Sequence, residues 1–273
     1  MKEYEMPDTM TKQELECLAE KSWVGADVVY YETLDSTNTT AMQLAAEGAI
    51  HGTLVVADCQ RAGKGRRGRS WEMTAGDSIA MSLILKPEEL LPMNAPMLTL
   101  VSAIAVARAL EQETGMRGSI KWPNDIVIDG KKICGILTEM STDVEKIRHI
   151  VVGIGVNVHE EGFAEELADR ATSLYMVSGR HFKRAQIVRA ICEQFAKIYE
   201  IFMRTQDLSV LQDVYNDYLI NRHQQVLILD PHGTYEAVAE GIDERGALLV
   251  HTADGMRAID SGEVSVRGVY GYV

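Results

Sequence analysis

Residues 119–158 constrain the fold of this chain more than any other stretch. Ser119-Ile-Lys-Trp122 reads as a strand that Pro123 interrupts, because proline cannot donate to a ladder. Ile126-Val-Ile128 and Ile133-Cys-Gly-Ile-Leu137 flank Asp129-Gly130, a slightly extended version of a tight-turn signal. The segment from His149 to Val158 is a long β-rich run with glycines at 153 and 155. Strands this close in sequence imply antiparallel pairing and not a βαβ repeat, since parallel pairs need a long crossover. Helical patterns elsewhere must pack on that sheet. Leu100, Ile104, Ala107 and Leu110 recur at helical spacing within 95–114, and Ile187, Ile191, Phe195, Ile198 and Phe202 do so within 184–204. A further helix is expected over 208–220. The fold class is α+β, a mixed and largely antiparallel sheet flanked by helices.

The rest of the chain divides around this frame. Residues 28–31 form a short strand, and Thr40 with Gln43 makes a capping box for a helix ending near Gly48. Strands follow near 53–58 and 78–85. After Arg222, short strands at 226–229, 235–242, 247–251, 257–259 and 264–267 alternate with glycine-containing turns, the pattern of a small β-barrel. Three units result: an N-terminal extension over 1–27, a main α+β domain over 28–222 and a small barrel over 223–273. The extension holds one helical pattern, 12–22, against the roughly three helices of a DNA-reading head. A net charge of -13 argues against nucleic acid as a partner. No apolar run is expected to reach the length of a membrane span, and the polar, acidic start of the chain is unlike a signal peptide. Four scattered cysteines without a C-x-x-C pair fit reduced thiols in a cytoplasmic protein. The histidines show no metal-ligand spacing.

Against that acidic background, residues 61–69 (Arg-Ala-Gly-Lys-Gly-Arg-Arg-Gly-Arg) place five cations in nine positions. Such a cluster is stable where something anionic meets it, and a small anion such as a nucleotide fits a local loop. The loop matches G-x-G-x-x-G and comes close to a Walker A pattern. Both patterns need a helix N-terminus immediately afterwards. Residues 71–77 read as a loop and 78–85 as a strand, so the anion would be held by the arginines and lysine themselves. Glycines and mutually repelling cations imply a loop that closes over a ligand.

Other residues carry two readings each. Lys121, beside the kink at Pro123, is either a surface lysine or a cation pointing into a cleft. Asn124 and Asp125 suit turn chemistry as well as a site. Ser36, Thr37 and Asn38 suit helix capping or binding of a polar ligand. Gln60 precedes the basic loop and Trp71 follows it; the tryptophan suits either the core or a stack against a ring. Asn157 lies among small residues that permit close approach to a strand.

The order of these elements is more specific than any one of them. Ser-Thr-Asn, Gln-x-Ala-Gly-x-Gly-Arg-Arg-Gly-Arg-x-Trp, Lys-Trp-Pro-Asn-Asp, Gly-Ile-Leu-x-Glu and Gly-x-Gly-x-Asn together resemble the biotin protein ligases. The resemblance is dense over 30–160 and continues in Asn221-Arg222 and Gly262-Glu-Val-Ser-Val-Arg267. It implies a class II synthetase-like catalytic domain with an SH3-like terminal barrel. It implies ATP, biotin and Mg²⁺ held through phosphates, and a two-step reaction through biotinyl-5'-AMP to a lysine of a biotin carboxyl carrier domain. By the same resemblance, Ser36, Thr37, Asn38 and Gln60 contact the biotin ring system, and Lys64, Gly65 and Arg66 close over biotin and the phosphates. Gly135 lies against the ligand. Lys121 and Arg66 are the catalytic cations, both near the biotin carboxylate and α-phosphate. Arg69, Trp71, Asn124 and Asn157, with Glu263 and Arg267 from the barrel, face the nucleotide, and Asp125 is a candidate base. Lys64 stands where the family often has arginine and lacks its planar fork. The resemblance leaves room for a homodimer. A lipoate or octanoate ligase and a non-enzymatic biotin sensor are the rival readings.

Overall fold

A computed structural model describes residues 8–16, 22–143, 146–231, 233–262, 265–268 and 272–273. Its main sheet is built from β1 (Val28–Leu34), β2 (Leu54–Gln60), β5 (Ser78–Leu85), β6 (Ser119–Lys121), β7 (Asp125–Ile128), β8 (Lys131–Asp143) and β9 (Lys146–Asn157). The strands lie in the order β1-β2-β5-β9-β8-β7-β6. Two-residue strands β3 (Gly63–Lys64) and β4 (Ser70–Trp71) make a separate hairpin. Every pair in the main sheet is antiparallel except β1 and β2, which are parallel and joined through helix α2 (Thr37–Glu47). That one parallel pair makes the sheet mixed and largely antiparallel, as expected. The close hairpins of 119–158 say nothing about strands separated by a helix.

The alternation along β9 explains why the sheet has two unlike faces. Ile150, Val152, Ile154 and Val156 join the main apolar cluster, while Val151 joins a second one. Gly153, Gly155 and Asn157 share the face of Val151. The first face is covered by α3 (Leu98–Thr114) and α6 (Arg184–Thr205), which pack on each other. Ile187, Ile191, Phe195, Ile198 and Phe202 form the buried stripe of α6. Burial of each such side chain contributes about 1.5–3 kcal/mol. On the second face, Ala41 and Ala45 of α2 rest on Val55, Ala57, Ile84 and Val151. That helix covers only part of its face; the remainder of β5, β8 and β9 is a floor of small residues.

The stretch Pro92–Thr114, comprising a 3₁₀ turn (Pro92–Met97) and α3, is long and apolar enough to cross a membrane. This corrects the expectation that no such run exists. Its apolar side chains are spent on the core, with 72% of the apolar window buried. Three short or medium helices complete the unit: α4 (Glu165–Ala168), α5 (Leu174–Ser178) and α7 (Gln212–Tyr218). The last starts four residues later than the expected 208.

The N-terminal residues are part of the core. Leu15 of α1 (Lys12–Glu16) is fully buried. Arg184 is also fully buried, and a charge there needs partners. It donates from Nε to Asp8 Oδ2 at 2.9 Å and from Nη1 to the Ser78 carbonyl at 3.0 Å, and its Nη2 lies 2.7 Å from Asp58 Oδ1. Residues 17–21, including Cys17 and much of the expected 12–22 helix, lie outside the described residues. Cys59, Cys134 and Cys192 are free thiols.

The small C-terminal sheet runs in the order β13-β12-β11-β10-β14, all antiparallel. Its strands are β10 (Gln225–Asp230), β11 (Gly233–Ile242), β12 (Leu248–Thr252), β13 (Gly255–Ile259) and β14 (Ser265–Gly268). Its interior (Val226, Ile228, Leu248, Val250) is continuous with the main core. Trp122 Nε1 donates to the Gly246 carbonyl at 3.0 Å, and Ile242 N donates to Asn216 Oδ1 at 2.9 Å. These bonds set the small sheet against the Trp122-Pro123 corner.

Candidate active site

The start of α2 supplies one wall of a cleft on the open face of the sheet. Ser36 has extended backbone (φ -157°), and its Oγ accepts from Thr39 N at 3.4 Å. The helix therefore starts at Thr37 with Ser36 as its cap, and not at the expected Thr40 and Gln43 box. Thr37 and Asn38 are turned inward. Thr37 donates from N (2.7 Å) and Oγ1 (3.0 Å) to Gln60 Oε1. Ser82 Oγ lies 2.8 Å from Thr37 Oγ1 and 2.7 Å from Asn38 Oδ1, and Asn38 Nδ2 donates to Glu139 Oε2 at 2.7 Å. These buried polar groups are held before any ligand arrives, which rigidifies the wall.

The glycines at 153 and 155 serve side chains of the site. A Cβ on Gly153 would lie 2.0 Å from Asn38 Oδ1, and one on Gly155 would lie 2.5 Å from Trp71 Cε2. They let Asn38 and Trp71 rest directly on the strand. Trp71 sits in β4, where it pairs with Gly63 across the β3–β4 hairpin. Its Nε1 is buried with no acceptor among the described residues.

That hairpin is the basic loop, and no α-helix follows it. Arg66–Gly68 form one 3₁₀ turn, with Arg67 at φ 57° and Gly68 at φ 72°. Gly65 N donates to the Arg69 carbonyl at 2.7 Å. Two of its arginines are pinned outside the loop. Arg66 donates from Nη1 to Asn124 Oδ1 at 2.8 Å and from Nη2 to the Ser261 carbonyl. Arg67 Nη1 donates to Ser265 Oγ at 2.8 Å. The loop thus closes the cleft by resting on the small C-terminal sheet.

Two joined chambers result. The inner one holds about 50 Å³ of space open to a water-sized sphere, and the outer one about 670 Å³ by the same measure. Ser36, Thr37, Asn38, Gln60, Lys64 and Gly135 line the inner chamber alone. Arg69, Lys121, Asp125, Asn157 and Arg267 line the outer chamber alone. Gly65, Arg66, Trp71, Asn124 and Lys132 line both and mark the junction. Asn157 is buried, and its Nδ2 donates to the Thr172 carbonyl at 2.9 Å. Glu263 lies outside the described residues.

Electrostatics concentrate at the junction. Lys132 Nζ is 2.6 Å from Asp125 Oδ1, which also accepts from Asn124 Nδ2 at 3.1 Å. Asp125 Oδ2 accepts from the Tyr272 hydroxyl. Burial alone would push the Asp125 carboxyl up, but Lys132 and then Lys121 hold it below its ordinary range. Burial pushes the Lys121 ammonium down to about 8 against the pull of Asp125. Among the described residues no three His, Cys, Asp or Glu side chains gather into a cation site.

Lys132, Ser82 and Tyr272 are site residues that the sequence reading did not single out. Lys132 shares sequence parity with Cys134 and Ile136, which belong to the core. The β7–β8 ladder shifts register here: Ile126 pairs with Cys134 but Val127 with Lys132, so residue 133 is extra. A bulge re-aims the side chains that precede it. Lys132 Nζ accordingly stands 2.9 Å from where a Cβ on Gly135 would be, on the site face. Strict alternation along β9, by contrast, was readable as a floor of glycines.

Comparisons with known proteins fit this geometry. The Biotin/lipoate A/B protein ligase family matches residues 30–157, and the Biotin protein ligase C terminal domain matches residues 224–267. Tyr272 lies beyond both stretches. The chain is 37% identical over 263 residues to the bifunctional ligase/repressor BirA of Bacillus subtilis, covering 95% of this chain and 80% of that one. It is 31% identical to the biotin--[acetyl-CoA-carboxylase] ligase of Paracoccus denitrificans, covering 86% of this chain and 98% of that one. The solved biotin protein ligase from Aquifex aeolicus in complex with biotin and ATP superposes with a TM-score of 0.78 at 30% identity, covering 89% of this chain and 99% of that one. On its sequence over nearly its whole length, and on a fold shared with a biotin protein ligase solved in complex with biotin and ATP, this chain belongs to the biotin protein ligase family.

Proposed function

We infer that this chain is an ATP-dependent biotin protein ligase. The biotin carboxylate attacks the α-phosphorus of ATP, forming biotinyl-5'-AMP and releasing pyrophosphate. A lysine amine of a carboxylase carrier domain then attacks the acyl carbon, and AMP leaves. The observation that carries this reading is the junction of two chambers at Arg66 and Lys132. The inner chamber, with its fixed hydroxyls and amides, suits the biotin ring system; the outer chamber, with Arg69, Lys121 and Arg267, suits the nucleotide.

The first step brings two anions together. Unit charges 4 Å apart repel by about 4 kcal/mol at an effective dielectric of 20. Arg66 and Lys132 stand where that repulsion arises, and Lys121 adds charge on the nucleotide side. Adenylyl transfer of this kind relies on positioning and charge stabilisation, with no covalent enzyme intermediate needed. We assign Mg²⁺ to the phosphates, since Asp125 is already paired with Lys132. The same pairing makes Asp125 a poor proton acceptor for the second step: a carboxylate held low by lysines takes a proton reluctantly. We therefore read Asp125 as the anchor of the two lysines.

The test is to incubate the protein with biotin, Mg-ATP and a carrier domain and to weigh the carrier. A gain matching one biotin, with lipoate and octanoate failing to compete, is the expected result. A gain from octanoate or lipoate alone would move the assignment to the rival ligases, and no gain at all would leave only binding.

A further inference from the structure

Tyr272 reaches the outer chamber from beyond the last strand of the small sheet. Its ring lies over Lys121, with Nζ 4.0 Å from the centroid. Its hydroxyl donates to Asp125 Oδ2, while Asp125 Oδ1 takes Lys132 Nζ at 2.6 Å and Asn124 Nδ2 at 3.1 Å. One carboxylate thus holds the junction lysine, and one phenol holds the other side of that carboxylate. With the tyrosine seated in its wall, the chamber still offers about 670 Å³, within the range of ligand pockets.

We propose that Tyr272 is a positioning residue for the adenylation step. It fixes Asp125 so that Lys132 stands at the meeting point of the chambers and Lys121 faces the outer one. The inference rests on the ligase reading above. Its physical basis is valence. Asp125 is buried and needs donors on both oxygens. Without the phenol, Oδ2 has no hydrogen-bond donor among the described residues, and the carboxylate gains by swinging toward a lysine. Either lysine then leaves the place from which it meets substrate charge. Lys121, Lys132 and Arg66 are the cations facing Asp125, with Tyr215 and Cys134 as its neutral titratable neighbours. Arg69 and Arg267 face Tyr272.

Tyr272→Phe keeps the ring over Lys121 and removes only the hydroxyl. Pyrophosphate release from biotin and Mg-ATP by the full chain is expected to show kcat reduced about tenfold, equivalent to about 1.4 kcal/mol. The KM for biotin should stay within twofold, because Tyr272 does not line the inner chamber. The acid limb of the pH–rate profile should move to higher pH, since Asp125 loses a donor that favours its ionised form. In an Asp125→Asn background the same substitution should cost nothing further, as expected of coupled partners. Calorimetric biotin binding by the variant checks that it is folded. Wild-type kcat with an unmoved acid limb would overturn the proposal, as would fully additive losses in the double variant. If the wild-type chain forms no biotinyl-AMP, the ligase reading falls and this inference with it.

Discussion

Replacing Lys132 by methionine is the sharpest probe of the junction. Methionine keeps the length and apolar stem of the side chain and removes its charge. The Lys132 and Asp125 side chains are 27% and 12% exposed, so water screens their interaction only in part. Two reacting anions at 4 Å repel by about 4 kcal/mol at a dielectric of 20. With Arg66 and Lys132 sharing the cancellation, losing one cation raises the barrier by about 2 kcal/mol. Asp125, freed from its closest partner, adds a negative charge of its own beside the same atoms. A total near 3 kcal/mol corresponds to a loss of about 10²-fold in kcat/KM for biotinyl-AMP formation. Lys121→Met is the comparison. Because Lys121 lines the outer chamber alone, its loss should raise the KM for ATP more than that for biotin. Single-turnover release of labelled pyrophosphate, with each substrate varied in turn, separates the two. A Lys132→Met enzyme within threefold of wild type would refute the charge argument.

Three further expectations follow from particular contacts. Adenylation should decline as pH rises through about 8, because burial lets Lys121 lose its proton there and the ammonium is the useful form; a rate flat to pH 10 would contradict this. Gly155→Ala has no backbone penalty from positive φ, but its Cβ would press on the Trp71 ring at 2.5 Å; about 1–3 kcal/mol of overpacking should appear as weaker biotin binding by calorimetry, and an unchanged Kd would show that Trp71 is free to move. Glu160 is buried, with its carboxyl raised from 4.5 to about 7 and Oε2 unpartnered among the described residues. A carboxyl with a raised folded pKa gives stability that is present below 4.5 and lost as pH climbs through 7, a difference of about 3 kcal/mol. Glu160→Gln should therefore lower the loss of Tm between pH 5 and pH 8, and an identical pH dependence would show that the group ionises freely.

How much of this was legible in sequence depends on the range of the interaction involved. The strand run of 119–158, the stripe of α6 and the absence of a helix after the basic loop are local patterns, and each has its counterpart in the fold. The lining of the inner chamber was reachable because its residues lie within short motifs whose order is specific. The parallel β1–β2 pair was not, since partners on either side of a helix are chosen by the whole sheet. Lys132 escaped because a one-residue bulge inverts the alternation that sequence reading relies on. Arg184 looked like an ordinary first-turn residue of an amphipathic helix; its role is defined by Asp8 and Asp58, which are distant in the chain. Tyr272 carried no motif at all.

The stapling of Arg66 and Arg67 to Ser261 and Ser265 has a diagnostic consequence. The lip of the cleft and the terminal β-unit fasten to one another, so loss of that fastening need not announce itself as unfolding. A substitution such as Ser265→Ala, which removes the acceptor of Arg67 Nη1 without touching the core, would surface first as a kinetic phenotype: a leaky entrance, poor retention of the activated vitamin, and normal bulk secondary structure. Variants in this region are best screened by turnover and escape of intermediate before melting curves are consulted.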